Sequence, residues 1–133
     1  MDEIVEMLRE ANTAVAWGME LPTHEMTVEA EEQILLPLPR DYREFLLEVS
    51  DVIVGSLEPA VVADASAHNY LPEICATAWS DGVPRHLLPF CKQEDTYYCL
   101  EPEGEVVLWA DGDLTGETWE TIWYWARDVW LES

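Results

Sequence analysis

Apolar positions recur at helical spacing in some stretches of the chain and bunch into short β-prone runs in others. That change of period sets out the elements. In residues 2–16, Ile4, Val5, Leu8, Ala11 and Val15 share one face and acidic residues crowd the first turn. This predicts a helix that Gly18 ends. The stretch from Glu20 to Met26 reads as a linker. Thr27 is then the expected N-cap of a second helix over about residues 28–36, with Glu29, Glu31 and Glu32 near its positive end. Pro37 stops that helix and Pro39 opens the next at its first position. In the next helix Tyr42, Phe45, Leu46 and Val49 fall at i, i+3, i+4 and i+7, one buried stripe.

Val52-Ile53-Val54 reads as a strand start with Gly55 as a bend, and Val61-Val62 as a further short strand. Asn69 is the expected cap of a helix over about residues 70–80 carrying Leu71, Ile74, Cys75 and Ala78. Asp81-Gly82 closes it, and Pro84 prevents its continuation. Three β-prone runs follow: Leu87 to Lys92, Tyr97 to Leu100, and Glu105 to Trp109. Glu94-Asp95-Thr96 and Pro102-Glu103-Gly104 separate them, and this spacing predicts a β-meander. In the tail, Trp119, Ile122, Trp123, Ala126, Val129 and Trp130 form one helical stripe. Tyr124 faces away from that stripe and Trp125 lies at its edge. Off-stripe aromatics are the candidates for exposed contacts, since aromatic anchors dominate binding hot spots.

Length and composition narrow the picture. A chain of 133 residues, 49 % hydrophobic with seven tryptophans, is one domain with a packed core. No apolar run approaches the ~20 residues of a membrane span. The acidic start, MDEIVEMLRE, lacks the layout of a signal peptide, so the expectation is cytoplasmic. An odd number of cysteines, three, argues against a secreted disulfide scaffold. Six Lys plus Arg stand against 28 Asp plus Glu, a net charge of -22. That balance repels nucleic acid and anionic membrane and attracts cationic partners. Solubility alone would also account for it.

No catalytic or metal constellation stands out. Cys91 and Cys99 flank the Gln93-Glu94-Asp95-Thr96 turn without the four-ligand spacing of zinc. They read as small apolar strand residues. Asp111-Gly112-Asp113-Leu114-Thr115-Gly116 resembles the first half of a calcium loop, but Ile122 stands where the bidentate acid belongs. The stretch reads instead as an acidic loop that helps start the terminal helix. His24-Glu25 lacks the second histidine of a zinc-protease helix. His68 and His86 have no obvious carboxylate or nucleophile partner in the local sequence. No catalytic residue, metal or cofactor is therefore expected.

The ordered set of elements resembles the SUKH superfamily, which includes fungal cell-wall-synthesis regulators of the Smi/Knr type. The residues that carry the resemblance are Leu38-Pro39-Arg40-Asp41-Tyr42-Arg43-Glu44-Phe45-Leu46 and Leu88-Pro89-Phe90. They continue with Glu94-Asp95-Thr96-Tyr97-Tyr98-Cys99-Leu100, Gly104-Glu105-Val106 and the closing Trp-rich helix. The match spans roughly residues 28–131. The chain departs from the family at its turns, with Ser50-Asp51 and Glu94-Asp95-Thr96 where Asn-Gly and a glycine are common.

The resemblance implies a single α+β domain over residues 1–133, with an antiparallel sheet packed against helices. Residues 1–26 would form an N-terminal helix and linker, and residues 27–133 the core. It also implies a non-enzymatic immunity protein that binds and neutralises a cognate toxin domain, a nuclease or deaminase. The -22 charge suits such a partner, because nuclease domains are commonly basic. The expected contact face gathers Glu94, Asp95, Glu101, Glu103, Asp111 and Asp113, with Tyr124 and Trp125 as aromatic anchors. A regulatory domain binding a host protein is the alternative. The expected state is monomer or homodimer.

Overall fold

The computed structural model describes residues 2–13 and 20–133. The elements run α1 (Asp2–Ala11), α2 (His24–Ile34), α3 (Arg40–Val49), α4 (Leu71–Ser80), β1 (Leu88–Gln93), β2 (Thr96–Leu100), β3 (Val106–Ala110), β4 (Asp113–Trp119) and α5 (Ile122–Trp125). A π-helical turn, Ala126–Trp130, continues α5. The four strands form one antiparallel sheet in sequence order. This is a single α+β domain, as the resemblance implies.

The amphipathic stripes fold as their spacing requires. Tyr42, Phe45, Leu46 and Val49 of α3 are all fully buried. Ile4 and Leu8 of α1 pack into the same core, which holds Leu71, Ile74 and Cys75 of α4 and Leu88, Phe90, Tyr98, Leu100 and Val106 of the sheet. A smaller cluster gathers Ala78, Val83, Leu87, Tyr97, Cys99 and Val107. Alternation along β2 sends Tyr98 and Leu100 to one cluster and Tyr97 and Cys99 to the other, so both faces of the sheet are covered.

Several boundaries differ from the sequence reading, each for a local reason. α1 stops at Ala11, and Val15 and Gly18 lie outside the described residues. α2 begins four residues before the expected start. Thr23 is the cap, its Oγ1 accepting from the Met26 amide at 3.3 Å. Thr27 is instead an interior residue that donates to the His24 carbonyl at 2.6 Å and accepts from Arg43 Nη1. Asn69 does not cap α4: its side-chain amide donates to the Pro59 carbonyl. Residues 52–54 form no strand. Val52 and Val54 are buried but Ile53 points out, and its amide and carbonyl are taken by Asn12 and Thr13. Val61 makes only an isolated bridge to Tyr70.

The acidic stretch after Trp109 is a fourth strand, not a loop leading into the helix. Asp111 (φ +53°) and Gly112 (φ +82°) form a two-residue hairpin turn, and Ala110 pairs with Asp113. Positive φ at both central residues gives the twist that two antiparallel strands need. Trp119 therefore ends β4 and is not part of the helix.

Candidate functional site

The antiparallel order places two hairpin turns at one end of the sheet. Glu94-Asp95 joins β1 to β2, with Glu94 at φ +54°, and Asp111-Gly112 joins β3 to β4. Glu101 and Glu103 lie in the β2–β3 turn, at the opposite end. At ~3.3 Å per residue, a five-residue strand separates the two ends by roughly 16 Å. The six acidic residues expected to form one face thus divide. Glu94, Asp95, Asp111 and Asp113 stand together, and Glu101 and Glu103 do not join them.

Between the two hairpin tips lies a cleft of about 310 Å³ lined by Asp81, Asp95, Tyr97, Trp109, Asp111 and Gly112. Tyr97 and Trp109 are direct cross-strand partners, so their side chains share one face. Tyr97 is buried and donates its hydroxyl to Asp81 Oδ2 at 2.6 Å. Burial pushes the Tyr97 phenol well up, and the bond to Asp81 and the charges of Asp81 and Asp95 push it further. The cleft therefore presents three carboxylates around an aromatic floor. Tyr97 is closed off and has the chain's own Lys92 Nζ 5.8 Å from its ring centre, so a partner's guanidinium or ammonium gains charge attraction from the carboxylates and contact with the half-buried Trp109. Asp81 was missed from sequence as a site residue because it reads as a helix stop. It lies 14 residues before Asp95, and only the packing of α4 on the sheet brings it to the cleft.

The two aromatic anchors separate. Tyr124 is half-buried, with the Arg127 guanidinium 4.7 Å from its ring centre, in a groove shared with Asp2, Glu3, Ile4 and Met7. Trp125 is fully buried and so is not a surface contact. The π-helical turn that follows, in which the Leu131 amide bonds the Ala126 carbonyl five residues back, brings Trp130 round to the same side. Trp125 thereby stacks on Trp130 (ring centres 6.5 Å apart, 24° between planes) and meets Phe90 edge-on at 4.8 Å.

Cys91 pairs across the hairpin with Tyr98, and Cys99 with Pro89. The two cysteines lie in different clusters, and all three thiols of the chain are free and buried. Burial pushes the Cys75 and Cys91 thiols up to about 12, and the Cys99 thiol up as well. These thiols are scaffold: a protonated, enclosed sulfur is a poor nucleophile. His68, which showed no partner in local sequence, meets Glu58 Oε2 at 2.6 Å on the surface. Among the described residues, no group of three or more His, Cys, Asp or Glu side chains is arranged to hold a metal ion. None of the described helices is long and apolar enough to cross a membrane.

Comparison with known proteins places this architecture. Residues 1–131 match the SUKH_5 family, described as SMI1-KNR4 cell-wall. The chain belongs to this family. A solved structure titled "Crystal structure of protein from Pseudomonas syringae pv. tomato" is 53 % identical to it. The two superpose with a TM-score of 0.96 over 100 % of each chain. No curated protein matches. In this SUKH domain, the helices and the meander carry the shared framework, and the hairpin tips hold the acidic cleft.

Proposed function

We propose that this SUKH domain is a non-enzymatic, cytoplasmic immunity protein that binds and neutralises a basic toxin domain, a nuclease or deaminase. The observation that carries the reading is the cleft in which Asp81, Asp95 and Asp111 surround Tyr97 and Trp109. A lysine or arginine of the partner enters it, and the remaining charge of the -22 surface steers the approach. Glu94 and Asp113 share that end of the sheet without lining the cleft, and add to the local negative field. Glu101 and Glu103, at the far end, act only through the long-range field.

The test is kinetic. The protein is co-expressed with the product of the neighbouring reading frame, and association is followed by stopped-flow fluorescence at low and moderate salt. Asp95→Lys with Asp111→Asn, an asparagine being tolerated at the left-handed turn position, is expected to slow association at least tenfold and flatten its salt dependence, with the fold retained by circular dichroism. Unaltered association would remove the cleft from the interface. The family's cell-wall description favours a second reading, a regulatory domain that binds a host protein. Under that reading the neighbouring product does not bind, and the same double variant loses a host partner instead.

A further inference from the structure

α2 ends in a conformation that disfavours the residue occupying it. Leu35, at the C-terminal cap, has φ +59° and ψ +36°, the left-handed region where glycine is the usual choice. Its side chain gives no core contact in return, being 76 % exposed. The turn is held on three sides. The Leu35 amide bonds the Glu31 carbonyl at 2.9 Å, Glu31 Oε2 accepts from the Leu38 amide at 2.7 Å, and Arg85 Nη2 donates to the Ile34 carbonyl at 2.7 Å. The surroundings therefore impose the backbone geometry whatever side chain stands there. A leucine here is worse for folding than a glycine, and nothing among the described residues repays it.

The exposed side chain is not isolated. Val28, Leu35, Leu36 and Pro37 line a shallow groove of about 350 Å³ together with Glu31 and Glu32. Glu31 is turned to Arg43 and the Leu38 amide, so the exposed Glu32 is the carboxylate that edges the apolar wall. We propose that this α2 face is a second docking surface, on which Leu35 is the apolar anchor for a protein partner presenting an apolar recess edged by lysine or arginine. Charge selects that occupant over a second copy. A twofold pairing of this face would bring both Glu32 carboxylates, and two bodies of net charge -22, against each other. The face shares no residue with the hairpin-tip cleft, and the proposal does not rest on the cleft's function.

Two readouts test it together. Leu35→Gly is expected to raise the melting temperature by about 3 °C, because the left-handed position is relieved and no packing is lost. Methyl-labelled protein is then titrated with a 14-residue amphipathic Leu/Lys helical peptide, and separately with an all-Lys peptide of equal charge. The Leu/Lys peptide is expected to shift the Val28, Leu35 and Leu36 methyls saturably, and Leu35→Gly to weaken that binding at least tenfold. The all-Lys peptide is expected to leave those methyls unmoved. A lowered melting temperature in Leu35→Gly would overturn the proposal. So would an equal response to both peptides, or shifts confined to other faces. Concentration-dependent shifts of these methyls without peptide would overturn it in favour of self-association.

Discussion

Cys75 and Cys91 illustrate how position decides a side chain's chemistry. A thiol in water ionises near 9, but burial raises both to about 12. A group whose folded pKa is raised contributes stability that is fully present below its unfolded value. That stability drains away as pH climbs towards the folded value. Each thiol is thus expected to cost ~1.4 kcal/mol per pH unit between roughly pH 9 and 12. Urea midpoints measured at pH 8, 9.5 and 11 check this, and Cys91→Val should remove one thiol's share of the slope. The apolar role of Cys91 and Cys99 was legible from their place in β-prone runs. Their separation onto opposite faces was not, because it depends on the register shift between Pro89 and Cys91. Gly55 is a similar case. Its φ of +63° was foreshadowed by its reading as a bend, but the close packing of Ser133 against it was not. A Cβ there would stand 2.8 Å from the Ser133 backbone.

At the scale of elements, periodicity located α1, α3, α4 and the first three strands, and missed two features. One is β4. Its residues, DLTGETW, are nearly all exposed, so no apolar alternation announces a strand. The signal that could have found it was the Asp111-Gly112 pair just after an apolar run, a hairpin signature with a known backbone reason. The other is the π-helical turn. A regular α-helix keeps a 3.6-residue period, and on that period Trp125 and Trp130 cannot both face the core squarely. The wide turn admits one extra residue, and both rings become fully buried. Deleting the exposed Arg127 would leave Trp125 and Trp130 four residues apart, about one α-helical turn, so the α-helical period should return with both rings still on the core. The deletion is therefore expected to cost no more than ~2 kcal/mol, less than the loss of a buried aromatic. Arg127→Ala, which leaves the extra residue in place, should cost under about 1 kcal/mol. Chemical denaturation of the two variants side by side decides it.

For the whole molecule, charge is the dominant long-range term. Six basic side chains cannot pair 28 carboxylates, and those that do pair stay local. Arg9 meets Asp51 at 2.8 Å and Arg43 meets Glu31 at 2.5 Å. Burial alone would raise the Glu31 carboxyl. The hydrogen bonds from Arg43 and the Leu38 amide, with the Arg43 charge, hold it below the ordinary range. The unpaired remainder repels itself across the surface, which destabilises the compact state. Raising sodium chloride from about 10 mM to about 500 mM shortens the screening length to ~4 Å. The melting temperature is therefore expected to rise by about 5 °C. A flat or falling melting curve across that range would mean that the carboxylates are compensated locally.

By itself the sequence determined the class of fold, because a stripe of apolar residues at period 3.6 or a run between turn residues has few ways to be buried. It also determined the sign and size of the surface charge. Only the tertiary structure decided which carboxylates meet. Hairpin tips at the same end of an antiparallel sheet join residues far apart in sequence, Asp95 with Asp111, and the packing of α4 adds Asp81. The same geometry sends Glu101 and Glu103 to the other end. Spacing along a chain carries no information about which turns share an end until strand order and register are fixed, and those are set by packing on both faces of the sheet.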